Sequence, residues 1–387
     1  MPVIDADIVV VGAGLVGAAF ALAASRLGLR VELVSNTGPP APVVGDLGRV
    51  YALSPGSRSL LESLGVWQRL DPGRIQEVTA MQVSGDRAAS VDFDALEGGA
   101  SALAWMVESD AVAWALAQQL EVEAQVRCRW RTSPAALKLD PDAAQLALQD
   151  GSVSRAALVV GADGRESWVR TEAGIEVTGR AYAHHAVVAN FLTDLGHGGV
   201  ARQWFGAEGV LALLPLPGNQ VSMVWSAPDA VAANLVALDA DALCERVARA
   251  ADRCLGGLRL VTRPSSVPII LGRAKRMVRP RLALIGDAAH NLHPLAGQGV
   301  NLGLRDVAAL VRILGGGPDT EPGAISALRR FERSRSEDIA TMILLTDGLQ
   351  RLFSSRLPGI AWARNHGLGL LARLPHLKGL LLQQALR

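Results

Sequence analysis

The stretch Ile8-Val-Val-Val11-Gly12-Ala-Gly14-Leu-Val-Gly17 decides the fold. Four consecutive aliphatic residues read as a buried parallel strand. Glycines follow at GxGxxG spacing, and a small-residue segment (Ala18, Ala19, Ala21, Ala23, Ala24) continues as a helix to near Gly28. A second strand, Val31 to Val34, completes a βαβ unit. Each glycine has a physical task in that setting. Gly12 permits a tight turn, Gly14 leaves the backbone open to a pyrophosphate, and Gly17 lets the helix lie close to the strand. The helix N-terminus adds unbonded N–H groups and partial positive charge. The unit therefore predicts dinucleotide binding. An acid normally ends the second strand and holds the ribose hydroxyls. By spacing, that position falls on Ser35 or Asn36, while Glu32 lies inside the strand. Ser35 can still bond ribose, without charge assistance.

Outward from this unit the pattern changes. Val78 to Ser84, Ser90 to Phe93, Leu103 to Val107, Val187 to Leu192, Val210 to Leu214 and Gln220 to Ser226 read as strands without crossover helices, which predicts a mixed or antiparallel sheet. Leu158 to Val160 and Leu282 to Ile285 return to the buried parallel pattern. The expected fold class is α/β (α+β overall). A discontinuous Rossmann-like domain (1–75, 108–180 and 272–325) carries an inserted mixed or antiparallel-sheet substrate domain (76–107 and 181–271), and 326–387 is a C-terminal helical region.

Two further motifs end predicted strands. Asp163-Gly164 follows the strand at Leu158 and precedes a helix start; on its own it reads as an ordinary turn. Gly286-Asp287 opens a longer stretch, running through His290, His293, Pro294, Gly297, Gln298, Gly299, Val300 and Asn301 to Asp306. An acid at a strand end suits a sugar hydroxyl, and a helix beginning near Gly299 suits developing negative charge. Pro294 and the glycines oppose a helical pair of imidazoles at His290 and His293, and no third ligand is evident, so no metal is expected. The absence of a GxSxG elbow argues against a hydrolase.

Composition narrows the class. The chain has 387 residues, half of them hydrophobic, with a mean hydropathy of +0.25, enough for a large core in two domains or one with a cap. A net charge of +1 gives no reason to expect nucleic acid. Three cysteines, Cys128, Cys244 and Cys254, form no CxxC pair, which fits a reducing compartment. The apolar N-terminal stretch is broken by glycines and preceded by Asp5 and Asp7, unlike a signal peptide. A cytoplasmic protein is expected.

The three motifs in this order resemble the class A flavoprotein monooxygenases built like para-hydroxybenzoate hydroxylase. His293-Pro-Leu-Ala-Gly-Gln298-Gly-Val-Asn301-Leu-Gly-Leu-Arg-Asp306 is similar to the signature of the ubiquinone-biosynthesis (UbiH-like) hydroxylases. So are Arg49-Val-Tyr-Ala-Leu-Ser54, Leu64-Gly-Val-Trp67, Leu214-Pro-Leu-Pro-Gly and Thr346-Asp347-Gly-Leu. The resemblance covers nearly the whole chain. It implies FAD as cofactor and NAD(P)H as co-substrate. It implies that Gly12, Gly14 and Gly17 hold the pyrophosphate, with Ser35 at the ribose position. Arg49 would meet the flavin and phosphates, Asp163-Gly164 both FAD and the passing nicotinamide, and Asp287 the ribityl chain. Pro294, Gly297, Gln298, Gly299 and Asn301 would line the isoalloxazine, with Val300 also among the cofactor-binding residues. The implied reaction is hydroxylation of a polyprenylated phenol by dioxygen, through a flavin C4a-hydroperoxide. No residue is identified as acid or base.

The resemblance leaves open the ring carbon, the tail length, NADH or NADPH, and the oligomeric state. A small-phenol hydroxylase or a non-catalytic FAD-binding scaffold subunit would carry the same motifs. The halogenase pattern WxWxIP is missing, and a plain NAD-dependent dehydrogenase would have no use for Asp163-Gly164 and Asp287. From Ile360 to Arg387 there are no acids, and Arg364, Arg373, Lys378 and Arg387 alternate with leucines. Such a segment fits peripheral attachment to a membrane surface, and equally a helix packed on the main domain or on another protein of ubiquinone biosynthesis. Pro375 would interrupt one continuous helix.

Overall fold

The structure is a computed structural model that describes residues 4–43, 45, 48–85, 90–291, 298–317 and 321–354. The chain opens with β1 (Ala6–Val11), α1 (Leu15–Ser25) and β2 (Val31–Val34). Next come β3 (Val50–Leu53), α2 (Pro55–Ser63), β4 (Gln76–Val78), β5 (Ala80–Ser84), β6 (Ser90–Asp94) and β7 (Ala104–Glu108). Then follow α3 (Ser109–Glu121), β8 (Val126–Arg129), β9 (Pro134–Leu139), β10 (Ala144–Leu148), β11 (Val153–Gly161) and α4 (Trp168–Glu172). The middle of the chain is β12 (Val177–Thr193), β13 (Val200–Gly206), β14 (Gly209–Leu216), β15 (Gln220–Pro228), α5 (Asp229–Ala237), α6 (Ala240–Ala250), β16 (Leu258–Leu260) and β17 (Ser265–Ala274). The last part is β18 (Val278–Arg279), β19 (Leu282–Leu284), β20 (His290–Asn291), α7 (Gln298–Leu314) and α8 (Ile325–Ser354).

Among the described residues these strands form three sheets. The first has the order β18-β19-β11-β1-β2-β8, with β10 beside β11 and β9 beside β10. Its centre is parallel: β1 pairs with β2 and with β11, and β11 pairs with β19. Segments far apart in sequence thus meet in one buried layer. Ile8, Val9 and Val10 are wholly buried there beside Leu158, Val159, Val160, Leu282 and Leu284. These are the apolar runs whose lack of alternation signals burial on both faces. Helices α1 and α7 pack on this layer, with Phe20, Leu22, Val307 and Leu310 in its core.

The second sheet runs β20-β17-β12-β15-β14-β13-β5-β6, with β16 on β12. It is largely antiparallel, with β13 and β5 parallel to each other. Its pleat gives its two faces different work. On one, Val187, Phe191, Leu211, Met223 and Trp225 pack against Leu235, Leu243 and Val247 of α5 and α6. On the other, smaller residues face the first sheet. The third sheet, β3-β7-β4, lies at the edge of this space.

The structure differs from the sequence reading in identifiable places. The run from Val78 to Ser84 is two strands, because the chain turns at Thr79, whose N–H donates to Gly199 O at 3.0 Å, and passes from the third sheet to the second. The strand expected at Val187 to Leu192 is the end of the 17-residue β12, which reaches back to Val177. A register shift between Ala181 and His185, with Ala183 at φ 54°, lets it pair with β17 on both sides of the irregularity. Helices α3, α5 and α6 lay outside the sequence reading. No helix among the described residues is long and apolar enough to cross a membrane. The basic segment 360–387 lies outside the described residues.

Candidate active site

A cavity of about 1070 Å³ lies between the first and second sheets. Its nucleotide-side wall is built from strand ends. The β1 loop delivers Gly14 at the start of α1, the β11 loop delivers Gly164 and Arg165, and the β19 loop delivers Asp287. The start of α7 delivers Gly299, Val300 and Asn301, and the loop before β3 delivers Arg49.

The glycines of the first motif divide their work. Gly12 has φ +106°, and a Cβ there would strike the carbonyl of Ala162. A Cβ on Gly17 would strike the carbonyl of Gly12, so α1 rests on its own turn. Neither borders the cavity. Gly14 does, and a Cβ there would meet nothing within 4 Å. Gly14 is also the N-cap of α1 and supplies no capping side chain. The first-turn N–H groups have no partner within the helix, so a bare helix N-terminus faces open space. That is an anion site shaped for a pyrophosphate, and the chain fits FAD on this ground.

Several predicted site residues are placed otherwise than their motifs implied. Ser35 does not border the cavity; its hydroxyl is 3.0 Å from Thr37 Oγ1. Glu32 is buried in β2 against the Arg129 guanidinium. Asp163 also stands back. Its carboxylate accepts from Ser167 Oγ at 2.5 Å and from Val169 N at 3.0 Å, which fixes the start of α4, and Gly164 alone of that pair borders the cavity. Asn301 borders it while its side chain is spent elsewhere. Oδ1 accepts from Ser54 N (2.9 Å) and Ser57 Oγ (2.7 Å), and Nδ2 donates to Ala52 O (2.8 Å). That amide joins α7 to β3 and α2. Pro294 and Gly297 lie outside the described residues, as does the side chain of Gln298.

Charge at the site is held from behind. Asp287 opens to the cavity but is otherwise ringed by protein. Burial pushes its carboxyl up, and His290, Arg49 and Arg165 offset only part of that. Behind Gly286, Asp306 of α7 is fully enclosed. It accepts from His290 Nε2 (2.6 Å), Gly286 N (2.9 Å) and Arg335 Nε (2.7 Å). Burial pushes this carboxyl up too, but His290 and Arg335 outweigh it and hold it below the usual carboxylate range. The network ties β19, α7 and α8 together under Gly286-Asp287. The Arg49 loop has its own anchor: buried Glu108 accepts from Gly48 N (3.2 Å) and Arg74 Nε (2.5 Å).

The opposite wall was not found from sequence. It is the small-residue face of the second sheet, in register rows. Ala186, Ser226 and Val210 make one row, Val188, Val224 and Ala212 the next, and Asn190, Ser222 and Leu214 the third. The signal was present in Val221-Ser-Met-Val-Trp-Ser226, where large and small residues alternate.

An antiparallel sheet closing over a nucleotide fold, with one cavity bordered by both, is the architecture of the class A flavoprotein monooxygenases. A family model described as FAD binding domain matches residues 5–335. The ubiquinone hydroxylase UbiL of Rhodospirillum rubrum is 35% identical, over 98% of this chain and 89% of its own. The 3-demethoxyubiquinol 3-hydroxylase of Escherichia coli is 36% identical, over 98% and 97%. Among solved structures, Pseudomonas aeruginosa PqsL in complex with 2-aminobenzoylacetate matches with a TM-score of 0.81 at 23% identity, over 94% of this chain and 99% of that one. The p-nitrophenol 4-monooxygenase PnpA of Pseudomonas putida matches with a TM-score of 0.79 at 18% identity, over 100% and 99%; at these identities both speak for the fold alone. The chain belongs to the FAD-binding family that includes the ubiquinone-biosynthesis hydroxylases, and it is an FAD-dependent monooxygenase.

Proposed function

We propose that the chain hydroxylates the ring of a polyprenylated phenol on the path to ubiquinone, using NAD(P)H and dioxygen. The observation that carries this is the shared cavity. One wall offers a bare helix N-terminus, Asp287 and the start of α7; the other offers small and mostly apolar side chains. At about 1070 Å³ it exceeds the roughly 300–1,000 Å³ of ordinary ligand pockets, which supports occupation by a flavin and a ring together. The relatives named for ubiquinone chemistry support the substrate class.

FAD, when bound, accepts hydride and activates oxygen. The chain positions and shields. The α1 N-terminus at Gly14 would hold the pyrophosphate, and Asp287 would accept from a ribityl hydroxyl. Arg49 sets positive charge beside both. The amides of Gly299 and Val300, at the cavity-facing start of α7, would offset negative charge on the reduced ring. The sheet wall excludes water and orients the phenol. In this reading segments 1–75, 108–180 and 272–325 form the FAD domain, with 76–107 and 181–271 over it. Segment 360–387 rests on a membrane surface, which its composition supports; co-sedimentation with anionic vesicles that is unchanged by deleting it would sink that part.

The test is NADH and NADPH oxidation by the FAD-loaded protein with and without a short-chain prenylated phenol, with products followed by mass. Faster oxidation and a product heavier by one oxygen atom are expected. Bound FAD with no nicotinamide oxidation under any condition would favour the non-catalytic scaffold.

A further inference from the structure

On the substrate-side wall the Gln203 amide, like the Ser222 and Ser226 hydroxyls, has no side-chain partner among the described residues. Gln203 of β13 is 5% exposed and borders the cavity. Its register partners are Ala212 on β14 and Val83 on β5. The residues two positions away on the same face are Ala201 and Phe205. None of these four side chains can take or give a strong hydrogen bond. No described residue pairs with the Gln203 amide, although Arg202 beside it is satisfied by the carbonyls of His197 (3.1 Å) and Val200 (3.4 Å). The amide opens to the cavity, so only water or a ligand there can complete it. Alanine as its neighbour on β14 leaves room for a ring.

We infer that the Gln203 amide is the hydrogen-bond partner of the substrate's phenolic hydroxyl and so fixes which ring edge faces the flavin. An amide both donates and accepts, as a phenol does, and carries no charge. The register rows around it are likewise uncharged, from Ala186, Val188 and Asn190 to Ser222, Val224 and Ser226. Gln203 therefore reads the hydroxyl by hydrogen bonding, while Arg202 and Arg263, positive charges that border the same cavity, lie outside these rows. The inference rests on the reading above that the cavity takes a phenol.

The experiment titrates FAD-loaded protein with ortho-geranylphenol and with its methyl ether, following the flavin absorbance, and measures product formed per NAD(P)H oxidised. Wild type is expected to bind the phenol more tightly than the ether. Gln203→Met, similar in length and apolar, should weaken phenol binding by about 3- to 10-fold, as loss of one neutral hydrogen bond does. It should also abolish the preference for phenol over ether, lower the yield of hydroxylated product, and leave bound FAD unchanged. A merely structural glutamine would lower FAD content or melting temperature and leave the preference intact. Equal wild-type binding of phenol and ether overturns the inference without recourse to any variant, and so does an unchanged preference in Gln203→Met. Should that variant fail to fold, Gln203→Asn, which withdraws the same amide by one methylene, takes its place. A wild type that neither binds nor hydroxylates the phenol overturns the substrate reading itself. That outcome differs from one in which wild type hydroxylates normally and Gln203→Met matches it.

Discussion

At the scale of the residue, two glycines of one motif make opposite predictions. Gly14 has room for a methyl group and an ordinary φ of −67°, so Gly14→Ala should fold normally. The new methyl would occupy the pyrophosphate's approach, and FAD affinity should fall by about 5- to 150-fold, a loss on the order of 1–3 kcal/mol for a steric intrusion. Flavin retained on gel filtration reads this directly. Gly17→Ala should instead destabilise the fold, because its Cβ meets the Gly12 carbonyl; an unchanged melting temperature would contradict it. Asp306 makes a prediction about pH. Its folded carboxyl sits below the usual range, so its contribution is complete above about pH 4 and is lost as pH falls through the lower folded value. Asp306→Asn should cost about 1–3 kcal/mol near neutrality, since Arg335 keeps Asp338 at 2.6 Å but loses its fully enclosed carboxylate partner. Below about pH 4 the variant's stability should depend on pH less steeply than wild type. Denaturant melts at several pH values check both statements. GxGxxG was legible as a motif, yet only its middle glycine borders the cavity. The ribose position was less legible: the Thr37 contact of Ser35 forms after the strand ends and leaves no mark in hydrophobic pattern.

At the scale of the element, α7 shows how the site is aimed. Its first turn faces the cavity, and the Asn301 amide fastens that turn to β3 and to the start of α2 through Ala52, Ser54 and Ser57. Asn301→Ala leaves a buried N–H at Ser54 and a buried carbonyl at Ala52. It should cost about 1–3 kcal/mol for each group that finds no water. Because the same turn faces the flavin, FAD affinity should fall with the melting temperature; a variant that melts early but holds FAD as tightly as wild type would separate the two roles. The parallel strands β1, β2, β11 and β19 were readable because burial on both faces leaves uninterrupted Val, Leu and Ile. The break at Thr79 was not, because it is set by backbone bonds to distant residues, Thr79 N to Gly199 O and Ala95 N to Thr79 O, that leave no mark in the local pattern. Helices α5 and α6 escaped because they exist to cover a sheet whose inner face was itself unknown from sequence.

At the scale of the whole molecule, the cavity belongs to two sheets at once, and anything bound in it bridges them. FAD at a hundred times its dissociation constant should raise stability by about 2.7 kcal/mol. Added phenol should raise the melting temperature of the FAD form further while leaving the FAD-free form nearly unchanged, as scanning calorimetry would show. Equal shifts in both forms would mean that the ring does not depend on the flavin-loaded wall. That one chain supplies both walls was legible from the order of its motifs. Which strands build the far wall was not, because that depends on register across β12, β14 and β15, with partners distant in sequence; only the alternation within β15 was on view. The pleat of that sheet has a practical result. Met223 and Trp225 face the helices while Ser222, Val224 and Ser226 face the cavity. A randomised library confined to every second position of β15 would thus explore substrate scope while leaving the helix-covered core out of the search, and the sites to hold constant are named by parity alone.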